Sequence, residues 1–504
     1  MINNTIDSSE DVDNAFLKTR FLDIPQRLEV LKKIENDKRL KFIRVCWVDV
    51  ANKIRCKSVN TRWLLEHRDN FFNVTVTNAC MSFKAFEDAI VQEALPPNSG
   101  FGEVFLVPDW DSFTRHPSNP AYAQMFGSFY TVPKVETNAQ GQSTTTHQRP
   151  LLAPWNLCPR NALKSAIDRL FANGQFTAKG SFEEEFYLIP REKNLQPTVN
   201  DLVWRDNSTF ASCYSLDVYS DVLEKITDAL ELQGVPVEQL IKESGPGQFE
   251  ITVPYTDILI ACDRHEIIRQ TVHSVAYECG FIASFIPRIY DNAAGNGCHA
   301  HLSLWKDGKN IIPDVSNPNQ SGISNVGCKF IAGVIGHAKA LTGLFNTTKN
   351  SFTRLKPNCW SGSNITWGLD NKEAFIRVPT SPMSAIKGNT NFEIKTLDHT
   401  ANVYLAMAAV IHSGLDGIVN DVPIPLHTSL NPCTLSQEER TKLGIDVLPS
   451  NLITALEYLK KDQELVKNLG EDLVRAYTSV KLAEDKCLSS LTDEEIKLKL
   501  LELY

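Results

Sequence analysis

Four segments of the sequence alternate residue by residue between apolar side chains and side chains that carry a carboxylate, an imidazole or a hydroxyl group. The segment SFEEEFYL is the clearest: Glu183 and Glu185 share one face of a strand, and Phe182 and Phe186 share the other. An alternation with this period predicts a sheet that packs on one side and holds polar groups on the other.

The polar faces of the other three segments carry related groups. They are Glu250 in GQFEITV, His299, His301 and Ser303 in GCHAHLSL, and Glu393 and Lys395 in NFEIK. A polar face is common in antiparallel sheets, and for any one strand it is a sufficient explanation. Glu184 has the opposite parity, which places it on the apolar face or at the end of the strand, and the sequence assigns it no role.

The crowding of carboxylates indicates a cation. Glutamates on neighbouring strands repel one another unless a cation lies among them. Glu243, seven residues before Glu250, adds a fifth glutamate, and His299 adds an imidazole. Such an oxygen-rich set suits a pair of Mg²⁺ or Mn²⁺ ions, whereas zinc prefers closed sets of nitrogen and sulfur. The pattern therefore predicts a divalent metal centre.

Helical periodicity around these strands predicts an α+β fold. A helix in DIPQRLEVLKKIEND precedes a hairpin around Ala51 and Asn52, and helices alternate with strands from about residue 157 onward. This alternation is typical of a domain on a mostly antiparallel sheet. We predict a flexible tail at 1–20, a small N-terminal domain at 21–115, a connecting loop rich in Ser, Pro, Thr, Asn and Gln at 116–150, and a larger domain with C-terminal helices at 151–504.

Composition excludes several classes of function. The 51 basic and 60 acidic residues give a net charge of −9 without a basic block, so we expect no nucleic-acid partner. No apolar run approaches the roughly 20 residues that a membrane helix requires. The polar N-terminus is unlike a signal peptide, so we expect a cytoplasmic protein without membrane contact. The 12 cysteines are scattered singly, which favours reduced thiols over a zinc site or a disulfide framework.

The order and spacing of the motifs resemble the glutamine synthetase family over most of the chain. The resemblance is carried by FIRVCWVDVANKIRCKSV, VFLVPDWDSF, the E-x-E strand, ESGPGQFE, GNGCHAHLSLW, RLKP, FIRVP and NFEIK. It implies an N-terminal β-grasp domain and a glutamine synthetase catalytic domain, in which an antiparallel sheet forms a funnel with flanking helices. It also implies a homo-oligomer of stacked rings with active sites between subunits, ATP as a substrate, and two or more Mg²⁺ or Mn²⁺ ions per site.

The same resemblance implies a role for each motif residue. Glu185, Glu243 and Glu250 would hold one metal ion, and Glu183, His299 and Glu393 the other. The nucleotide side would contain His301, Ser303 and Tyr255, and the substrate pocket would contain Gly295, Arg354, Lys395 and Trp360. Arg377 at the transferring phosphate and Arg354 at the carboxylate substrate are the implied catalytic residues. The implied chemistry forms an acyl phosphate from ATP and a carboxylate, and an amine then displaces phosphate.

Several departures from the family pattern concern the substrates. Glutamine synthetases have R-L-x-P-G-Y-E-A-P, whose glutamate helps to take a proton from ammonium, but this chain has RLKPNCWSG with Trp360 in that place. The segment VTNACMSF lacks a counterpart of the family's second acidic residue. An indole cannot act as a base, although it can stack on a larger amine. Ala294 stands where an Asn is usual, and Lys395 replaces an arginine, which keeps the charge but loses the fork geometry.

These motifs look most like those of fungal FluG-type proteins and other γ-glutamylamide-forming relatives. The favoured hypothesis is an ATP-dependent carboxylate–amine ligase that joins the γ-carboxylate of glutamate, or of a close analogue, to an amine other than free ammonium. The alternatives are a true glutamine synthetase (glutamate–ammonia ligase) with a rearranged ammonium site, and a catalytically inactive structural or regulatory oligomer. An inactive oligomer would be expected to have lost metal ligands, and none of the implied ligands is lost.

Overall fold

The computed structural model describes residues 24–504 except 71, 96–101, 133–151, 192–205, 207, 315, 317–321, 381–387, 389 and 502. The predicted tail at 1–20 and the greater part of the predicted loop at 116–150 lie outside the described residues. The described residues combine helices with two large sheets and a two-stranded hairpin, in agreement with the predicted α+β fold.

The strands are β1 (Phe42–Val48), β2 (Ile54–Asn60), β3 (Val74–Thr77), β4 (Phe83–Lys84), β5 (Glu87–Ile90), β6 (Glu103–Pro108), β7 (Thr114–Arg115), β8 (Tyr122–Thr131), β9 (Ala153–Pro154), β10 (Thr177–Pro190), β11 (Gln239–Lys242), β12 (Gln248–Thr252), β13 (Thr256–Asp257), β14 (Phe281–Ser284), β15 (Ala300–Lys306), β16 (Lys309–Asn310), β17 (Asn364–Leu369), β18 (Ala374–Val378), β19 (Phe392–Ile394) and β20 (Asp446–Val447). The α-helices are α1 (Pro25–Asn36), α2 (Thr61–Glu66), α3 (Pro159–Ala172), α4 (Cys213–Val218), α5 (Ser220–Leu232), α6 (Ile258–Glu278), α7 (Asn325–Gly336), α8 (Ala338–Phe345), α9 (Lys349–Arg354), α10 (Val403–Val419), α11 (Gln437–Leu443), α12 (Leu452–Lys461), α13 (Gln463–Leu469), α14 (Glu471–Leu488) and α15 (Asp493–Leu501). Short 3₁₀ helices cover Asn78–Met81, Gln92–Ala94, Trp110–Ser112 and Pro432–Thr434.

The N-terminal part is a sheet with strands in the order β2-β1-β8-β6-β3, and β7 and β9 pair with β8. The predicted hairpin is present, because β1 and β2 pair antiparallel along their whole length. Its turn has Asn52 at a φ of 66°, a left-handed conformation that Asn adopts more readily than most residues. The apolar side of α1 joins the core of this part. A sheet covered by a helix is consistent with the β-grasp domain that the resemblance implies.

Residues 122–131 are a strand, which corrects the prediction of a connecting loop there. β8 lies in the middle of the N-terminal sheet, parallel to β1 and antiparallel to β6. Its side chains from Ala123 to Phe129 are buried. The surrounding segment is polar in composition, which led to the prediction of a loop. Within it, the largely apolar run YAQMFGSFY forms a strand that is buried on both faces of the sheet. The domain limits near residues 20, 115 and 150 stay predictions.

The larger part is built on a sheet with the order β11-β12-β10-β15-β19-β18-β17-β20. β10 spans 14 residues and pairs antiparallel with β12, β13, β14 and β15. The strands predicted to carry the acidic face are β10, β12, β15 and β19. They are consecutive in the sheet as β12-β10-β15-β19, which brings their polar faces together.

Helices cover the apolar face of this sheet. α10 is buried along most of its length and packs on α3 and α7. The main core also contains Phe182, Leu302 and Ile394, which belong to the apolar sides of the acidic strands. Of the helices in the described ranges, none is long and apolar enough to span a lipid bilayer.

Candidate active site

A cavity of about 530 Å³ is lined by the polar faces of the acidic strands. Its wall contains every residue predicted to bind metal, namely Glu183, Glu185, Glu243, Glu250, His299 and Glu393. Strand register explains the arrangement. Glu185 on β10 lies opposite Glu250 on β12, and the backbone N–H of Glu183 donates to the carbonyl of His299 at 3.0 Å.

Glu185 and His299 form a close pair in this wall. Nε2 of His299 lies 3.2 Å from Oε1 of Glu185, whose other oxygen accepts a hydrogen bond from the N–H of Gly297 at 2.7 Å. Nδ1 of His299 is 3.1 Å from the carbonyl oxygen of Lys395, which can only accept, so Nδ1 donates there. Nε2 is therefore the nitrogen that can donate to Glu185 or, without its proton, bind a metal ion. Although burial favours the neutral acid, the hydrogen bond with His299 keeps the pKa of Glu185 below its usual value.

Close backbone approach requires glycine beside this pair. A Cβ atom on Gly297 would lie 2.5 Å from Nε2 of His299 and 2.9 Å from a guanidinium nitrogen of Arg354. Arg354 is buried, and its guanidinium donates to the carbonyls of Lys395 and Thr396 at 3.0 and 3.1 Å. The carbonyls of residues 395 and 396 thus hold Arg354, and the missing side chain of Gly297 leaves room for it at the cavity, which it also lines.

His301 contacts Glu183, one of the predicted metal ligands. Its Nε2 lies 2.9 Å from Oε1 of Glu183, and its Nδ1 lies 2.9 Å from Oδ1 of Asn391. Burial opposes charge on the ring, but the charge of Glu183 outweighs it and raises the pKa of His301 to about 9. The same contact lowers the pKa of Glu183, also against the effect of burial. The nucleotide role that the resemblance implies for His301 stays a prediction.

Glu250 and Glu243 are the carboxyl groups of the site whose ionised forms are least compensated by nearby positive charge. Burial, with the charges of Glu183, Glu185 and Glu243, raises the pKa of Glu250 to about 9. Burial and the charge of Glu185 also raise the pKa of Glu243. A dication would relieve this repulsion, so metal ions and protons compete for these carboxylates.

Two cationic side chains hold Glu393. Nζ of Lys395 donates to Oε1 at 2.6 Å, and a guanidinium nitrogen of Arg377 donates to Oε2 at 2.7 Å. Although burial opposes ionisation, the charge of Lys395 keeps the pKa of Glu393 well below its usual range. The two cations that the resemblance assigns to substrate and phosphate are therefore both engaged with a predicted metal ligand.

The donor set fits hard divalent ions. Donor atoms of Glu183, Glu185 and His299 lie within 4.8 Å of one another, and so do those of Glu183, His301 and Glu393. Both groups are rich in carboxylate oxygen, which Mg²⁺ and Mn²⁺ prefer. The groups share Glu183, which can therefore bridge two ions. The resemblance divides the ligands differently, and that division stays a prediction.

The loop that carries Trp360 forms the rim of the cavity. Asn358 and Trp360 have φ angles of 61° and 52°, a left-handed conformation that tryptophan rarely adopts. The carboxylate of Glu373 supports this conformation, because it accepts from the N–H groups of Trp360 at 2.8 Å and Asn358 at 3.2 Å. The indole is 57% exposed, and Nζ of Lys372 lies 4.6 Å from its ring centroid, within the range of a cation–π contact.

The cavity brings together the predicted residues except His301, Ser303 and Tyr255. Ser303 is buried and accepts a hydrogen bond from the indole N–H of Trp305 at 2.9 Å. Tyr255 is exposed, and its ring centroid lies 5.9 Å from that of Trp305. Both residues adjoin Trp305 and lie apart from the cavity wall. Their nucleotide-binding roles stay predictions.

Two acidic residues near the site were not identified from the sequence. Glu373 precedes Arg377 by four residues and shares its parity, a signal that could have placed it on the same side of β18. Glu184 is fully buried and lies 2.9 Å from Nδ1 of His265. Its apolar parity is a signal that could have indicated a buried partner, although no such partner was predicted. The sequence could not name that partner, because it is 81 residues away.

Comparison with known proteins places the chain among enzymes. Residues 156–498 match the family model of the glutamine synthetase catalytic domain. The chain is 48% identical over 486 residues to Type-1 glutamine synthetase 1 of Dictyostelium discoideum, an alignment that covers 94% of this chain and 93% of that protein. It is 28% identical over 452 residues to gamma-glutamylpolyamine synthetase GlnA3 of Streptomyces coelicolor, with coverages of 90% and 91%. The solved structure of the GmaS/ADP complex matches with a TM-score of 0.73 at 27% identity, covering 92% of this chain and 98% of that one. The chain therefore belongs to the glutamine synthetase family of ATP-dependent C–N ligases.

Proposed function

We propose that this protein activates the γ-carboxylate of glutamate, or of a close analogue, with ATP and condenses it with an amine other than free ammonium. The cavity wall carries this proposal. Within the described part of one chain, the carboxylates of the wall are all predicted metal ligands. Trp360 stands where a proton-accepting glutamate would be expected in the family.

The residues of the wall support phosphoryl transfer. A pair of Mg²⁺ or Mn²⁺ ions, held by the glutamates and His299, would offset the charge of the ATP phosphates. Arg377 can neutralise the transferring phosphoryl group once Glu393 is engaged by a cation, because its guanidinium is then released from that carboxylate. Arg354 is held rigidly by backbone carbonyls, which suits it to orient the carboxylate substrate.

The rim of the cavity supports a larger, mainly apolar acceptor. Phe210 and Trp360 both line the cavity, with exposures of 53% and 57%. Exposed aromatic rings of this kind can stack on an apolar or aromatic body. Lys372 lies against the indole and would repel a second positive charge on the acceptor. We therefore favour an aromatic or aliphatic monoamine over a polyamine.

The acceptor is tested by phosphate release from ATP and glutamate with ammonium, phenethylamine or 1,4-diaminobutane. We expect the highest kcat/KM with phenethylamine, and ammonium as the best acceptor would overturn the proposal. Trp360→Glu should raise the preference for ammonium, because it restores an acidic group at the rim. Trp360→Phe is the matched control, because it keeps an aromatic ring and should keep the preference of the wild type.

An assay with hydroxylamine tests ligase activity independently of which amine is the natural acceptor. Formation of γ-glutamyl hydroxamate with Mn²⁺ requires activation of the acid but not the natural amine. If hydroxamate forms but none of the tested amines is turned over, the protein is still a ligase and those amines are excluded as its acceptors. The absence of both hydroxamate and metal-dependent ATP binding would favour an inactive oligomer.

True glutamine synthetase activity is the second candidate. The relative named Type-1 glutamine synthetase 1, at 48% identity, favours it. In that case ammonium would be the best acceptor, and a second subunit would have to supply an acidic group to the rim. Family members generally form oligomers. We propose stacked rings for this chain because the resemblance implies active sites between subunits.

A further inference from the structure

The opposite side of the catalytic sheet holds a second group of ligand-type side chains. Glu184 on β10, His265 on α6, Cys298 before β15 and His399 after β19 form what we call the rear cluster. All four side chains are completely buried. Each offers a donor atom, and these atoms lie within 4.8 Å of one another.

The spacing of the donors in the rear cluster suits a single small ion. Oε1 of Glu184 lies 2.9 Å from Nδ1 of His265, and Oε2 of Glu184 lies 3.5 Å from Nδ1 of His399. Sγ of Cys298 lies 3.8 Å from Nδ1 of His265. Ligands of a tetrahedral zinc ion, bound at about 2.0 to 2.3 Å, are roughly 3.3 to 3.7 Å from one another. The observed separations lie on either side of that spacing.

Packing alone leaves polar atoms of the rear cluster unexplained. Neither ring nitrogen of His399, nor Nε2 of His265, makes a hydrogen bond of good geometry with the described residues. The two rings stack with an interplanar angle of 11°, and Phe285 packs against His399 at a centroid distance of 4.7 Å. Buried polar atoms normally have partners. The Nδ1 atom of His399 is directed at Glu184, where a shared ion would supply one.

We propose that Glu184, His265, Cys298 and His399 bind one zinc-class dication as a closed structural site. Imidazole nitrogen and thiolate are donors that zinc prefers, in contrast to the oxygen-rich cavity on the other side of the sheet. Binding releases the thiol proton of Cys298. The thiolate and the carboxylate then balance the two positive charges, and two neutral imidazoles complete the set. A neutral cluster suits a site that is closed to solvent.

An ion in the rear cluster would stabilise the strands that carry the cavity's ligands. Glu184 lies between Glu183 and Glu185, and Cys298 directly precedes His299. The four residues are therefore positioning residues and not catalytic ones.

Metal content tests the site without reference to activity. The untagged full-length chain is produced in zinc-supplemented medium and dialysed against EDTA, and retained metal is measured by mass spectrometry. We expect one zinc ion per chain in the wild type and in Glu250→Gln, which changes only the cavity. His265→Gln and Cys298→Ser should reduce retained zinc by about tenfold or more. A wild type that retains no metal, or variants that retain as much as the wild type, would overturn the proposal.

Cobalt tests the sulfur ligand directly. Protein produced with Co²⁺ should show a thiolate-to-cobalt charge-transfer absorption in the near ultraviolet. Cys359, which lines the catalytic cavity, provides the matched control. The absorption should persist in Cys359→Ser and disappear in Cys298→Ser. If Cys298→Ser fails to fold, the wild type and Cys359→Ser still test the site. No absorption in the wild type, or loss of the absorption in Cys359→Ser, would exclude metal binding by the rear cluster.

Discussion

The two faces of β10 use the same side chain for different purposes. Glu183 and Glu185 face a cavity of about 530 Å³, where other carboxylates crowd them. Glu184, between them, faces the interior and is paired with His265 at 2.9 Å. On the front face, which lines the cavity, exchangeable cations can relieve the repulsion between carboxylates. On the buried rear face, the charge of Glu184 needs partners that are fixed in the structure. The alternation of a strand thus separates binding carboxylates from structural ones.

The front face should control activity without controlling stability. Glu185→Gln should reduce hydroxamate formation by more than about 100-fold, beyond the usual cost of changing an outer-shell partner of a metal. The amide can still accept from Gly297, and the removed repulsion of Glu250 offsets the lost charge contact with His299, so the thermal unfolding temperature in EDTA should change little. Activity within tenfold of the wild type would contradict the assignment of Glu185 to the metal centre.

The rear face should show the opposite behaviour. Glu184→Gln removes the charge that His265 contacts, and we expect a loss of about 1–3 kcal/mol in the free energy of unfolding. The measurement is thermal or urea unfolding in EDTA, with Glu185→Gln as the front-face control. An unchanged stability of Glu184→Gln beside a destabilised Glu185→Gln would reverse the comparison.

The rim of the front face should affect the acceptor more than the nucleotide. Glu373→Ala removes two hydrogen bonds to the Trp360 loop, and we expect the KM for the amine to rise about tenfold while metal-dependent ATP binding persists. Lys372→Met is the control, because it keeps the loop but removes the positive charge. It should improve the use of 1,4-diaminobutane. An equal loss of ATP affinity in Glu373→Ala would show that the loop has a wider role.

The pH dependence of stability should report the ionisable groups of the front face. The folded-state pKa of Glu250 is raised from 4.5 to about 9, so the folded protein keeps a proton that the unfolded chain releases. Stability without metal should therefore fall as pH rises through this interval. The raised pKa of His301, about 9, acts in the same direction above pH 6.5. The lowered pKa values of Glu183, Glu185 and Glu393 contribute stability that is complete above about 4.5 and constant in this window.

Metal ions should remove most of that pH dependence. We expect the increase in unfolding temperature caused by Mn²⁺ to be a few degrees larger at pH 8.5 than at pH 6.5, because protons compete with the ion for Glu250. Differential scanning fluorimetry with and without EDTA measures the difference, and Glu250→Gln should abolish it. An increase that is the same at both pH values in the wild type would show that Glu250 is not protonated in the metal-free protein.

Helices and acidic strands could be predicted from the sequence because their signals are local. Apolar spacing predicted α1, the helices that alternate with strands from about residue 157 onward and the C-terminal helices, and alternation predicted β10, β12, β15 and β19. The prediction failed at β8, because a strand buried on both faces does not alternate. The rim loop was partly predicted. The sequence identified Trp360 as a departure from the family pattern, but it did not indicate that Glu373 supports the loop.

The sequence by itself determined which side chains share a face, because successive residues of a strand point to opposite sides whatever the strand pairs with. It also predicted the metal ligands of the cavity and, through the family resemblance, the loss of an acidic group at Trp360. Only the tertiary structure decided the partners: His299 with Glu185, Glu393 between Lys395 and Arg377, and Glu184 with His265. Partner choice depends on strand register and on helices packed from distant parts of the chain, and no local pattern records either.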